Sequence, residues 1–378
     1  MIFLNKNIRF LLFFSLFSLN CFAQKNKNNF SLEGLVSVDS GKVIFELVAD
    51  SSFYPTHLRH LEANIVDGKF NLKGELQNPV AYQISINNRS FISDLFVLDK
   101  GKQIMILNLK SNKLEVSLNN PIMKLDYPPY INAFSNVNYK RKELDNDWDS
   151  LILAYNKQIP PNIQRTLDLR LKKSYLESDS TLLSFVSEHP NSYYSFWRFI
   201  NLTPFGYYKI FDNINSKLSD SLKNSYSGKF LQQYLKNSNL YALSKAIHKF
   251  PIVGINNNKI DSIDYRANKY TLLDFWYSNC GPCIAQFAEM NLIYTQFHLK
   301  GFEIIGISTD YQKNKNNWLN TIKAHNLQWP QYIDEGGLQS AKLSIKAFPS
   351  NILVDKNGKV VAINLLPSEI NTYLKTAL

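Results

Sequence analysis

Cysteine is scarce: the 378 residues hold three, at positions 21, 280 and 283. So few thiols build no structural disulfide framework, and the fold must rest on hydrophobic packing and hydrogen bonding. Histidine is little commoner, and the six at 57, 60, 189, 248, 298 and 325 are scattered along the chain. A structural zinc site at the cysteines would therefore lack its further ligands, and His57 and His60, with no carboxylate cluster beside them, read as surface residues. No metal is expected. Long hydrophobic runs are also missing: beyond residue 23 no stretch offers the roughly eighteen apolar residues that a membrane span requires. A basic stripe is missing too, since the lysines and arginines behind the formal charge of +11 are dispersed among asparagines. That dispersal excludes nucleic acid as a partner and leaves at most a weak preference for acidic protein surfaces.

What is present begins with Lys6 and Arg9 ahead of an apolar run from Phe10 to Leu19 and the sequence Cys21-Phe22-Ala23. This reads as a secretory signal peptide cleaved after Ala23, so the mature protein is expected to be exported to the periplasm or cell envelope. Lipid anchoring through Cys21 fits poorly, because Asn20 precedes it. Removal of the leader takes Lys6 and Arg9 with it and lowers the formal charge from +11 to +9. It also leaves Cys280 and Cys283 as the only cysteines. In an exported protein, where disulfides form freely, one close pair argues for a redox couple over a staple.

The chain is organised around Thr271 to Met290, TLLDFWYSNCGPCIAQFAEM. Leu272, Leu273, Phe275 and Trp276 make a nearly continuous apolar run, interrupted by Asp274, of the kind expected in a strand covered on both faces. Phe287, Met290, Tyr294 and Phe297 then recur at helical spacing, predicting a helix from Cys280 to about Lys300. A thiol at a helix start faces unpaired backbone N–H groups and the positive end of the dipole, which favour thiolate. Cys280 is therefore the expected nucleophile, and Cys283, one turn on, the thiol that resolves a mixed disulfide. Gly281 permits close approach and Pro282 is tolerated in a first turn, so the turn looks built for exposure.

Asp274-Phe275-Trp276, Cys280-Gly281-Pro282-Cys283, Phe348-Pro349, Asn351 to Val354 and the Asp355-Lys356-Asn357-Gly358 turn occur in an order that resembles the thioredoxin superfamily, in its exported TlpA/ResA-like branch. The resemblance covers the last third of the chain. It implies that Pro349 is a cis-proline facing the sulfurs, that Phe348 supplies a backbone contact, and that Asp274 is a buried acid exchanging protons with Cys283. Substrate contacts fall, by the same resemblance, on Trp276, Asn279, Gly281, Pro282, Phe348 and Pro349. Two positions depart from the pattern: Asn279 stands where Trp is usual, and Ala288 replaces a helix-kinking proline, so the helix should run straighter.

Elsewhere the sequence predicts a multidomain chain, with 45% hydrophobic and 13% aromatic residues to build its cores. Residues 24–125 show period-two runs (Val43, Phe45, Leu47; Phe70, Leu72, Leu76; Tyr82, Ile84, Ile86; Leu114, Val116, Leu118) with turn signals at Asp39-Ser40-Gly41, Asp67-Gly68 and Asp99-Lys100-Gly101. These predict an antiparallel β domain, a small sandwich or barrel, and resemble the β domain of unknown role that often precedes such a redox module. Residues 126–250 change to helical spacing, with an entrance at Pro128-Pro129, a break at Pro160-Pro161, and caps or turns at Ser178-Asp179-Ser180 and His189 to Ser192. The aromatics Tyr193, Tyr194, Phe196, Trp197 and Phe199 there read as core packing. Residues 251–378 should form the α/β thioredoxin fold, with a hairpin about Asn257-Asn258, strands at 302–308 and 360–363, a helix over 318–325, and a final helix capped by Ser368.

The expected activity is disulfide exchange with exported proteins, in the reductive direction, through a Cys280–Cys283 couple and no other cofactor. By resemblance a membrane thiol-disulfide donor would recycle it. A peroxiredoxin-like peroxidase and a scaffold with a vestigial site are the alternatives; the first lacks the threonine-preceded cysteine of that class. The oligomeric state is left open.

Overall fold

Alternating apolar residues become strands with one buried face. The structure, a computed structural model, describes residues 28–378 apart from 88–91, 111–112, 157–158, 205–207, 240–242, 244, 248–249, 255–257 and 261. The expected leader, Cys21 and the hairpin tip at Asn257 lie outside the described residues. β1 (Phe30–Val36), β2 (Ser40–Leu47), β3 (Leu61–Val66), β4 (Lys69–Gly74), β5 (Val80–Ile86), β6 (Phe96–Leu98), β7 (Gly101–Lys110) and β8 (Lys113–Leu118) pair in the order β6-β5-β2-β3-β4-β1-β7-β8. All are antiparallel except β1 with β7, which run parallel. A bridge between Ser93 and Leu114 brings β8 round to the β6 side and closes the sheet into a barrel. Asp67 and Gly68, at φ 50° and 70°, make the left-handed two-residue turn between β3 and β4 that suits strand twist.

The chain turns helical at Pro121, earlier than the Pro128-Pro129 pair suggested, because Asn120 caps α1 (Pro121–Leu125) by accepting from Met123 N at 2.8 Å. There follow α2 (Tyr127–Ala133), α3 (Ser135–Ala154), α4 (Pro161–Glu188), α5 (Tyr193–Leu202), α6 (Lys209–Lys217), α7 (Asp220–Asn224) and α8 (Tyr226–Asn239). Ser178-Asp179-Ser180, expected to break the chain, sits inside α4. The Ser180 and Thr181 hydroxyls turn back to the Leu176 and Glu177 carbonyls, 2.8 Å each, so they do not disrupt the helix. His189 to Ser192 does break it, and Ser192 Oγ caps α5 by accepting from Ser195 N at 3.2 Å. Helix α5 plugs the barrel: Tyr194, Phe196, Trp197 and Phe199 are buried, and Trp197 Nε1 donates to Pro79 O at 3.2 Å. Barrel and helices share one buried cluster, running from Phe30 to Leu235, so the boundary expected at 125/126 does not divide the packing.

The remaining strands are β9 (Ile252–Gly254), β10 (Lys259–Ile260), β11 (Tyr270–Trp276), β12 (Phe302–Ser308), β13 (Gln331–Ile333), β14 (Ser350–Asp355) and β15 (Val360–Ile363), in the order β10-β9-β13-β12-β11-β14-β15. The helices are α9 (Gly281–Phe297), α10 (Lys315–Ala324), α11 (Leu338–Lys342) and α12 (Pro367–Ala377). Lys245 and Ile247 already belong here, since Ile247 N donates to Gly358 O (3.0 Å) and Val360 N to Lys245 O (2.7 Å). The unit thus begins a few residues before Pro251. β11 lies between β12, which is parallel to it, and β14, which is antiparallel. Leu272 and Trp276 face the layer of α9 and α12, with Met290, Ile293, Ile370 and Leu374, while Leu273 and Phe275 face the opposite core. Ser368 lies inside α12 instead of capping it; Glu369 Oε2 accepts from Leu366 N at 2.8 Å and ties the helix start. A sheet of this topology, with helices on both faces and a strand led by Pro349, is a thioredoxin fold. Among the described residues no helix is long and apolar enough to cross a membrane.

Candidate active site

At its C-terminal end β11 delivers Tyr277, Ser278 and Asn279 into a turn that opens α9. That turn is braced from below. Asp310, itself buried, accepts from Ser278 N and Ser278 Oγ at 2.8 Å each and from Ser308 Oγ at 2.7 Å, and Thr309 N donates to Trp276 O at 2.9 Å. Cys280 is the N-cap of α9: its Sγ accepts from Cys283 N at 3.2 Å, and its carbonyl takes the first helical bond, from Ile284 N at 3.0 Å. The two cysteines are joined in a disulfide with Cα atoms 5.3 Å apart. Gly281 and Pro282 are exposed, and a Cβ at Gly281 would meet nothing within 4 Å, so the outer side of the turn is open.

The sulfurs lie deeper than the turn around them. Cys280 is 1% exposed and Cys283 0%, so the exposure expected of this turn holds for Gly281 and Pro282 and not for the sulfurs. The bond to Cys283 and the hydrogen bond from Cys283 N both draw Cys280 Sγ inward. Beneath them, Asp274 shares a narrow crevice with Cys283, Gln286, Phe287, Met290 and Pro349. Burial pushes the Asp274 carboxyl up from 3.8 to about 7. The Phe348–Pro349 peptide is cis. Phe348 meets Tyr277 edge-on, ring centroids 5.7 Å apart, so one aromatic contact links the loop before β14 to the turn before α9.

Of the residues singled out from the sequence, Cys280, Cys283, Asp274 and Pro349 converge, while Asn279, Gly281 and Pro282 lie on the exposed turn and Phe348 is half-buried beside them. Trp276 does not join them as a contact surface. It is 0% exposed, with its ring 5.2 Å from that of Phe287, and it supports α9 from within. Sequence reasoning missed Tyr277, the Ser278–Ser308–Asp310 bracing and Gln286. Only Gln286 carried a local signal, lying three residues after Cys283 and so on the same face of α9.

Residues 244–363 match the AhpC/TSA family. A thiol-disulfide oxidoreductase ResA of Bacillus cereus is 31% identical over 119 residues, 32% of this chain and 67% of that protein. One from another strain of the species is 29% identical over 130 residues, 34% of this chain and 73% of that protein. A solved thiol-disulfide oxidoreductase from Bacteroides fragilis is 29% identical, covering 35% of this chain and 100% of its own, with a TM-score of 0.33. Fold and paired cysteines together define a thioredoxin-like domain. More narrowly, the chain belongs to the ResA-like thiol-disulfide oxidoreductases of the thioredoxin superfamily; the ResA likenesses span about a third of it, and the AhpC/TSA match, at 244–363, lies outside the barrel.

Proposed function

We propose that the protein works outside the cytoplasm, reducing disulfides in exported proteins through Cys280 and Cys283. The observation that carries this reading is the convergence of Cys283, Asp274 and cis-Pro349 on one crevice, with the helix-capping Cys280 bonded to Cys283 above it. In the reduced protein, Cys283 N–H and the start of α9 stabilise a thiolate at Cys280. That thiolate attacks a substrate disulfide: a bond from Cys280 Sγ to one substrate sulfur forms, the substrate S–S bond breaks, and the departing thiolate takes a proton. Cys283 then gives its proton to the Asp274 carboxylate and attacks Cys280 Sγ, releasing the second substrate thiol and forming the Cys280–Cys283 disulfide. With its carboxyl at about 7, Asp274 is near half ionised at neutral pH, suited to taking that proton and returning it. Opening the disulfide frees Cys280 Sγ from its inward tether, and the exposed Gly281–Pro282 side is the approach. Asn279, Phe348 and Pro349 flank the incoming chain. Two electrons leave the protein in each cycle, so a thiol donor, membrane-bound in this reading, must restore the dithiol.

Turnover of a protein disulfide such as insulin tests the proposal. Cys280→Ser is expected to abolish it, and Cys283→Ser to trap a mixed disulfide at Cys280. The AhpC/TSA match favours peroxidase chemistry as the second reading; consumption of peroxide without disulfide turnover would put that reading in place of the first. Full biological output from a chain lacking both thiols would leave only the scaffold.

A further inference from the structure

The sulfur chemistry makes no use of the barrel or its helices, yet they grip the loop that carries Pro349. Between α11 and β14 that loop runs Leu343 to Pro349, with Leu343 and Ile345 buried in the thioredoxin-like core. Its other side is held by the front half. Lys346 Nζ pairs with Asp50 Oδ2 at 2.6 Å, and Lys346 N donates to Pro204 O at 3.1 Å. Ser344 Oγ meets Ser238 Oγ, and Tyr234 Oη lies 3.4 Å from Ser344 O, with its ring centroid 5.9 Å from Lys346 Nζ. Asp50 sits at the end of the segment after β2, where its other oxygen accepts from Ser52 N at 2.9 Å. Burial alone would raise the Asp50 carboxyl, but the hydrogen bonds from Lys346 and Ser52 outweigh it and bring it to about 2, so the pair stays ionised. Elsewhere the halves are joined independently, α4 to α9 through Arg165–Glu289 (2.9 Å) and α4 to α12 through Lys172–Glu369 (2.5 Å). The Lys346 contact is therefore local to the loop, and losing it leaves the halves docked.

We infer that the barrel half positions the Pro349 loop, with Asp50–Lys346 as the contact that sets where the loop stands against an incoming protein disulfide. This rests on the oxidoreductase reading above. A folded substrate must lie along Phe348 and Pro349 to reach Cys280, whereas a small disulfide needs only the sulfur. A loop that strays from its place thus weakens capture of the first and spares the second.

The test uses the full chain, wild type and Asp50→Asn, since Asp50 touches neither the sulfurs nor the crevice. Loss of a half-exposed ion pair is expected to raise KM for insulin about three- to fivefold. kcat, the reduction potential of the Cys280–Cys283 pair and the rate with hydroxyethyl disulfide should stay at wild-type values. Lys346→Met added to Asp50→Asn should raise KM no further, because the two side chains act as one contact. Hydrogen exchange of the Ile345 to Ala347 amides should quicken in step with KM. Unchanged KM and exchange, equal loss towards large and small disulfides, or additive effects in the double variant would each overturn the inference. A wild-type chain that turns over neither disulfide would remove the oxidoreductase reading itself, while the exchange comparison would still decide whether Asp50 holds the loop.

Discussion

Replacing Asp274 with asparagine removes the one charge that the crevice beside Cys283 must accommodate, and burial sets the size of the effect. Asp274 is 7% exposed, and its carboxyl rises from 3.8 to about 7 on folding. A shift of roughly three units corresponds to about 4 kcal/mol between the two protonation states. Because the folded-state value is raised, the native protein keeps a proton that the unfolded chain gives up between about pH 4 and pH 7. Stability from this group is complete below about pH 4, falls by about 1.4 kcal/mol for each pH unit as pH rises, and levels off above about pH 7. Asparagine fills nearly the same volume and does not ionise. The variant should match wild type near pH 4 and exceed it by about 4 kcal/mol at pH 8.

Hydrogen exchange of the Leu272 to Phe275 amides, corrected for intrinsic rates, measures this locally and avoids treating a multidomain melt as one transition. A variant-minus-wild-type difference that stays flat from pH 4 to pH 8, or that bends only near the ordinary carboxylate value, would refute the burial argument. The same substitution should slow the Cys283 resolution step at least about tenfold at pH 7 and move its pH midpoint from near 7 towards that of a free thiol, about 8.5. Gain in stability with loss of rate is the signature expected of a buried acid kept for proton transfer.

Three further outcomes are expected. Asp310→Ala strands the donors Ser278 N, Ser278 Oγ and Ser308 Oγ and should cost about 3 kcal/mol, read as quickened exchange at Tyr277 to Cys280; unaltered exchange there would end the bracing argument. Gly228→Ala places a Cβ 2.0 Å from the Leu222 carbonyl oxygen at the α7–α8 junction, and should destabilise the barrel-helical half by about 1–3 kcal/mol, a loss that an unchanged melting temperature would contradict. After reduction, iodoacetamide at pH 7 should label Cys280 alone until the chain is denatured; Cys283 reacting first would overturn the assignment of nucleophile and resolving thiol.

Why some of this was legible in the sequence and some was not follows from the range of each interaction. The run from Leu272 to Trp276, the spacing of Phe287, Met290, Tyr294 and Phe297, and the Asp67-Gly68 turn are decided by neighbours within a few residues, and all three appear where the pattern placed them. The parallel pairing of β1 with β7 and the Ser93–Leu114 closure are set by packing across the chain and leave no local period. Ser178-Asp179-Ser180 misled because polar triads favour turns, yet a serine whose hydroxyl bonds one turn back is compatible with helix. At the site, the motif fixed the position of Cys280 on the helix but not its depth. Asp310 was invisible for a related reason: it reaches Ser278 across 32 residues, through the pairing of β11 with β12.

Depth bears on function because it moves control from sulfur to access. With Cys280 at 1% exposure and Cys283 at 0%, any thiol that exchanges with the disulfide must first uncover it. Two loops define that surface: the turn before α9, braced by Asp310, and the Pro349 loop, tied to Asp50, Pro204 and Ser238; the rings of Tyr277 and Phe348 join them. The first loop is anchored inside the thioredoxin-like domain and the second partly outside it. A change in the barrel half reaches the sulfurs through the Pro349 loop, held at Asp50, whereas α4 reaches α9 itself through Arg165–Glu289. In the proposed cycle the reactivity of the couple belongs to α9 and Asp274, and the choice of what reaches it to the Pro349 loop that the rest of the chain holds in place.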